Sequence, residues 1–478
     1  MGTDEPLTQC PPFLDSARLH ERDLQFFQGG KTIRRLKFLK EFVLVLAVST
    51  FAGCAGKSVH VERRHLSDDM QGRTGHTLRP DAVATNQLPP GVELTDSISG
   101  DEAVAVALWN NAAFQENLSK LGLARGDLAQ AGLLSNPTFS ILFPLGPKQL
   151  EFAATFPLEA VWLRPRRVTI ARLDAERVAD GLVQNGVDLI RDVRAGLSDL
   201  ELARDRMRLS REGVALRERI AQIAEGRQRA GEGSELETIA AQAEAVRARD
   251  EALRLEHDAI VAQERLVHLL GLTGVVTDAS FSRAAIPPTL ASARRDLERQ
   301  ALAARPDLRA SELAVEAAGK RAGLARAEIF ALSGIIDANA SGKEGFEIGP
   351  GAQLPIPILN QNQAGRARAA AELERAAWNY IGARQRVMLE VREAHTKYQQ
   401  ALEAHRSWST QLVPSLEELV RRSEKAYELG ELSPLAVQEN ARQLLTARVR
   451  QAELAADLRR AWAELERGVG TRLQAEAK

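Results

Sequence analysis

Aromatic residues make up only 5% of this 478-residue chain, which argues against a mixed enzyme core. The abundance of Ala, Arg, Glu, Leu and Gln is the bias of long packed helices. Cysteine is nearly missing, and Cys10 and Cys54 cannot build a disulfide framework. The formal charge is −1, so there is no basic field of the kind that attracts nucleic acid. Also lacking are a Walker-type Gly-Lys-Ser, an HExxH zinc motif, a GxSxG elbow and Cys/His metal spacing. The spacing of His60, His65 and His76 fits no tight site and is expected to be solvated, so neither metal nor cofactor is expected. Paired carboxylates such as Glu417-Glu418 sit on charge-rich helical stretches and read as a solvated face.

What is present begins with a targeting pattern. A basic stretch from Lys31 to Lys40 runs into the apolar Phe42 to Phe51 and then into Ala52-Gly53-Cys54, the order of a secretory signal. Cysteine directly after Ala-Gly resembles a bacterial lipoprotein lipobox, with Phe51 where leucine is usual. Residues 1–53 are therefore expected to be a signal region whose true start lies further downstream. A lipid-anchored, extended leader is expected over 54–98, where the composition turns polar.

The chain then says nearly the same thing twice. Arg229-Ala-Gly-Glu-Gly-Ser-Glu-Leu236 is echoed by Glu428-Leu-Gly-Glu-Leu-Ser-Pro-Leu435, at an offset of 199. Upstream, Phe156-Pro157-Leu158 answers Leu354-Pro355-Ile356, and Val193-Arg194 answers Val391-Arg392, both at 198. Downstream, Leu266 to Gly271 answers Leu465 to Gly470 at 199. An offset held over this distance means two copies of one unit, expected over 99–275 and 290–470.

Each copy reads as a helix, a strand hairpin and a long helical hairpin. Helices are expected from Asp101 to about Ser135 and from about Asp296 to Leu332, the second broken at Arg305-Pro306. Strands follow over Thr138–Phe143 and Leu150–Phe156, then over Ser333–Ser341 and Phe346–Leu354, with Gly and Pro at the joints. The first pair offers six to eight residues per strand, against about 9 to 11 for a membrane crossing. Helical stretches of Arg166–Leu270 and Ala364–Gly468 follow, each broken near its middle by the repeated glycine motif. In the last arm Val437, Ala441, Leu444, Val449, Ala452 and Leu458 belong to one sustained apolar stripe. The glycine motif thus sits at the tip of a long antiparallel hairpin.

This order, given twice behind a cysteine of lipobox type, resembles the TolC-type outer membrane efflux protein family. Leu133-Leu-Ser-Asn136-Pro137, Leu354 to Gln363 and the two tip motifs carry the resemblance. It implies a fold that is mainly α with a small β part. Three copies would form a helical periplasmic barrel joined to a 12-stranded β-barrel, four strands per protomer. It implies a passive exit duct in the outer membrane lipid, with a periplasmic adaptor and an inner-membrane transporter as partners. Aligned on the tip glycines, the family's gate tyrosine falls on Tyr427, an acidic gate position on Glu237 and an acidic ring position on Glu439. Glutamate on a long helix also reads as a solvated face. Leu432 and Ala436 stand where the family's basic gate partner and a further acidic position are expected. Gly231, Ser234, Leu236, Gly430, Ser433 and Leu435 are expected to shape the adaptor-docking tips, although a tight interhelical turn would by itself require the two glycines. The alternative is a periplasmic helical lipoprotein whose strands stop short of crossing. The transported substrate is not readable.

Overall fold

The computed structural model describes residues 62–80, 87–93, 97–143, 148–274, 279–290, 292–341, 346–429 and 431–473. Cys54 and Gly430 lie outside the described residues, as do the hairpin joints 144–147 and 342–345.

The two copies are laid out as expected. In the first, α2 (Gly100–Asn110) and α3 (Ala112–Gly132) lead into β1 (Thr138–Leu142) and β2 (Lys148–Pro157), then into α4 (Glu159–Arg229) and α5 (Glu235–Leu269). In the second, α6 (Arg294–Ala304) and α7 (Pro306–Ala327) lead into β3 (Ser333–Ser341) and β4 (Phe346–Gln353). These are followed by α8 (Gln363–Ser407), a π turn (Trp408–Leu412), α9 (Val413–Glu428) and α10 (Pro434–Val469). A further helix, α1 (Arg63–Thr74), precedes both.

Three findings in the helical part differ from the sequence-based expectations. The stretch expected to be extended carries α1, which buries Leu66 and Met70 and ends at Gly75 with φ 80°. It packs on α4, where Gly186 leaves room for Met70: a Cβ there would lie 2.7 Å from its Cε. His76, expected in solvent, is buried beside Asp101, with Nε2 3.7 Å from the carboxylate, and burial pushes its pKa down. The helix expected from Asp101 to Ser135 is split at Asn111. Asn111 is extended, and its side chain accepts from the Phe114 N–H at 2.9 Å and donates to the Leu269 carbonyl at 2.8 Å. The matching break at Arg305-Pro306 falls where proline placed it.

The duplication extends to how each unit closes. Gly271 and Gly470 end their hairpins with φ of 73° and 81°. A Cβ on Gly271 would meet the Asn110 carbonyl oxygen at 2.2 Å, and one on Gly470 would meet the Arg305 side chain at 3.1 Å. Each copy therefore seats its closing glycine against the break between its paired short helices. Around these points lie two cores, one including Leu108, Val193 and Leu266, the other Val391, Tyr398 and Leu465. Tyr398 is fixed by donating to the Pro288 carbonyl at 2.8 Å.

The offset between copies steps from 198 at Val193/Val391 to 199 at Gly231/Gly430. Between them lies the five-residue π turn, whereas α4 runs 71 residues without one. A π turn is how a helix accommodates one inserted residue without losing its bonding.

The four strands form one antiparallel sheet in the order β1-β2-β3-β4. β2 is 10 residues long, so the shorter expectation for it is corrected: Lys148 and Gln149 join the strand although their polarity hides it. The register sorts the side chains by face. Phe139 pairs with Ala154, Ile141 with Phe152, Phe156 with Gly334, and Ala338 with Ile348, giving an apolar face on which the Phe139 and Phe152 rings stack at 5.9 Å. The opposite face carries Glu151, which pairs with Asn339, which in turn pairs with Glu347. Among the described residues of the protomer, β1 and β4 each leave one edge without a strand partner, and such edges demand pairing or cover.

Candidate functional site at the hairpin tips

At the first tip the chain reverses within a few residues. Ala230 closes α4, Gly231 takes φ 76°, and the N–H groups of Glu232 and Gly233 both donate to the Arg227 carbonyl, at 2.9 and 3.1 Å. Gly233 is needed for a different reason than Gly231, since a Cβ there would lie 3.0 Å from the Gln228 backbone nitrogen. Ser234 then starts α5, its hydroxyl accepting from the Leu236 N–H at 3.2 Å, which satisfies one of the helix's orphan donors. Glu235 and Glu237 occupy the first turn, where the helix dipole favours negative charge. Buried Thr238 donates to the Ala224 carbonyl at 3.3 Å, and Gln242 donates to Glu225 at 2.6 Å, so the two arms are tied just behind the turn.

The second tip repeats the design with different residues. Glu431 N–H returns to the Ala426 carbonyl at 2.8 Å, and Ser433 starts α10 by accepting from the Ala436 N–H at 3.4 Å. Pro434 occupies the first turn, where its missing N–H costs nothing. Leu432, in place of Gly233, is half-buried. Tyr427 belongs to the last turn of α9, and its side chain, like Gly430, lies outside the described residues.

Each serine cap throws the leucine two residues later outward: Leu236 is 75% exposed and Leu435 is 74% exposed. Between α4, α5 and α10 runs a groove of about 520 Å³ that brings together Glu237, Leu435 and Glu439. Residues far apart in sequence thus meet within one protomer.

Arg442 was not anticipated. It grips Glu439 in a fork of 2.8 and 2.6 Å, Gln443 adds a bond of 3.0 Å, and these contacts, Arg442's first, hold the Glu439 carboxyl down at about 2. The i,i+3 spacing of Glu439 and Arg442 was the available signal. Glu439 therefore carries its charge at neutral pH, but with a cation alongside on the same helix. Ala436, in the place of a further acidic position, contributes its N–H to the serine cap.

The described residues combine two long helical hairpins with a small amphipathic sheet at the end remote from the tips, a helical channel-type architecture. The family model for the outer membrane efflux protein matches residues 152–272 and 297–471, and the chain belongs to that family. Among solved structures, the outer-membrane channel OprN is similar at 19% identity, over 82% of this chain and 99% of that one, with a TM-score of 0.65. VceC of Vibrio cholerae is similar at 17% identity, over 78% and 96%, with a TM-score of 0.62. The open state of the MtrE channel of Neisseria gonorrhoeae is similar at 17% identity, over 82% and 96%, with a TM-score of 0.62. No curated protein matches the sequence. The expected fold class, a duplicated unit contributing four strands per protomer to a trimeric 12-stranded barrel, stands with the family.

Proposed function

We propose that three copies of the chain form the passive exit duct of a tripartite efflux or secretion system. The duct stands in the outer membrane and docks by its tips onto a periplasmic adaptor beside an inner-membrane transporter. The observation that carries this is the separation of two surfaces by one rigid element. The 71 residues of α4 extend about 107 Å at 1.5 Å per residue, with the amphipathic sheet at one end and the leucine-bearing tips at the other. Cys54 serves as the lipidated anchor. Gly231, Ser234 and Leu236, with Gly430, Ser433 and Leu435, form the docking tips, and Tyr427, Glu237 and Glu439 line the entrance. The alternative, a periplasmic helical lipoprotein, is disfavoured by the apolar sheet face, which a water-filled compartment would not require, and by β2 and β3 at 10 and 9 residues; β4 at 8 and β1 at 5 fall short of a full crossing within the described residues.

The test is reconstitution. Detergent-extracted protein should run as a trimer and raise the conductance of a planar lipid bilayer in discrete steps. A well-folded trimer that never conducts would sink the duct.

A further inference from the structure

Charge is unevenly placed where the helices meet the strands. Over residues 125–137, 158–168, 320–332 and 354–370, which hold the sheet-side ends of α3, α4, α7 and α8, nine Arg and Lys stand against three acids, Asp127, Glu159 and Glu328. The excess is +6 per protomer in a chain whose formal charge is −1. Further along the hairpins arginine recurrently meets a carboxylate three or four residues away, as Arg208 meets Glu212 and Arg450 meets Glu453. At the junctions, among the described residues, Arg321 and Arg368 alone of the nine meet one, in Asp174 and Glu372. Arg125, Arg326 and Arg366 are exposed and unpaired there, and Arg166 donates only to the Gly323 carbonyl, at 3.3 Å, which leaves its charge uncompensated. The same four junctions expose apolar side chains, with Leu133, Trp162, Phe330 and Ile356 at one each. Trp162 and Arg166, four residues apart on α4, share one side of that helix. Arg166 lies seven residues into α4, roughly 11 Å from its start at 1.5 Å per residue. From the apolar sheet face outward the order is thus apolar, aromatic, then basic, the order in which a bilayer passes from hydrocarbon to headgroup.

We propose that this basic collar binds the phosphate groups of anionic phospholipids in the leaflet facing the periplasm and so sets the depth at which the duct sits, which rests on the reading of the chain as an outer-membrane duct. An anionic phospholipid fits the collar on two counts. Its acyl chains meet the exposed apolar side chains, and its phosphate meets arginines that no carboxylate of the protomer has taken, a pairing for which the planar guanidinium fork is suited. Each Lys or Arg brought near an anionic surface strengthens binding by roughly fivefold at low salt. Threefold symmetry repeats the excess of +6 around the duct, so the attraction does not depend on any single side chain. The collar also differs in kind from an acylated Cys54, because it recognises headgroup charge rather than supplying hydrocarbon.

The test reconstitutes the purified full-length trimer into phosphatidylcholine vesicles in which a fixed minor fraction of the lipid has brominated chains, either phosphatidylglycerol or phosphatidylcholine, and records the conductance of the same preparation in planar bilayers. Bromine quenches tryptophan at close range, and the part of the quenching that disappears in Trp162→Phe reports on the junction. That part should favour brominated phosphatidylglycerol by roughly threefold or more at about 0.1 M salt, and the preference should shrink at about 1 M, where the Debye length falls to roughly 3 Å. The triple variant Arg125→Gln, Arg326→Gln, Arg366→Gln should bring the preference close to parity. Should that variant fail to assemble, Arg366→Gln alone, at an exposed position, should lower it partway. Equal quenching by the two lipids in the wild type would turn the basic side chains towards the lumen; that result, quenching by neither lipid, or an undiminished preference in a conducting variant overturns the collar and leaves the duct intact. A trimer that does not conduct at all overturns both.

Discussion

Replacing Leu236 and Leu435 together by Asn separates docking from folding. Both side chains are about three-quarters exposed in the protomer, at 75% and 74%, so their removal takes almost nothing from the core. Surface changes of this kind usually stay within about 0.5 kcal/mol. If the tips dock, each leucine is buried against the adaptor and contributes about 1.5 to 3 kcal/mol. A quarter of each side chain is already covered, which lowers the figure to roughly 1 to 2 kcal/mol per leucine, or about 2 to 4 per protomer. At 1.4 kcal/mol per tenfold, that weakens each protomer's contact by roughly 30- to 700-fold. The assay has four readouts: trimer content of the outer-membrane fraction, single-channel conductance, crosslinking of the tips to the adaptor, and export. Trimer and conductance should match the wild type while crosslinking and export fall together. Undiminished crosslinking would refute the docking role of the tips, and loss of the trimer would show that these leucines instead hold the duct together.

Two further outcomes follow from the geometry. Burial, reinforced by the charge of Asp69, holds the Asp180 carboxyl up at about 6 against an ordinary 3.8, so its ionised form weighs against the fold. Stability from this site is present below about pH 4 and lost as the pH rises to 6. Asp180→Asn should therefore be more stable than the wild type at pH 7, by about 1 to 2 kcal/mol after discounting a shift of roughly two units for partial solvent screening, and should lose that advantage at pH 4; a pH-independent difference in thermal unfolding would count against it. On the sheet, Phe152→Arg should cost about 2 to 4 kcal/mol per copy on the lipid face and deplete assembled protein from the membrane, whereas Ala153→Arg on the polar face should be tolerated; equal tolerance in membrane fractionation would reverse the assigned faces.

How much was legible follows from where the determining forces act. β3 was placed to the residue because Gly342 and Gly345 punctuate the sequence after it and tertiary context did not extend it. The break at Arg305-Pro306 was written in proline, whereas the equivalent break at Asn111 combines a local asparagine cap on the Phe114 N–H with a bond to the Leu269 carbonyl, more than 150 residues away, which no local pattern encodes. α1 was missed because only Leu66 and Met70 face the core, too sparse an apolar pattern to read as a helix until α4 is in place. At the tips, the serine caps and glycine turns are local and were visible. The groove joining Glu237 to Glu439 is tertiary and was not. The Glu439–Arg442 fork lay in between, since its spacing was readable but its outcome depended on both side chains being free to meet.

The π turn in the second copy connects the repeat to the tips. One residue inserted into an α-helix would rotate everything beyond it by about 100°. The apolar stripe of the lower arm would then swing off its partner. Instead Val413 packs with Leu444 and Ala447, and Leu416 and Val420 lie against the same cluster directly beyond the insertion. The widened turn has absorbed the extra residue and kept the stripe in phase. That is why the offset can change from 198 to 199 while the glycine motif and the serine cap still reach equivalent tip positions. The insertion lies upstream of the motif, and the serine cap that starts the last helix at Ser433 still forms beyond it, leaving Leu435 exposed.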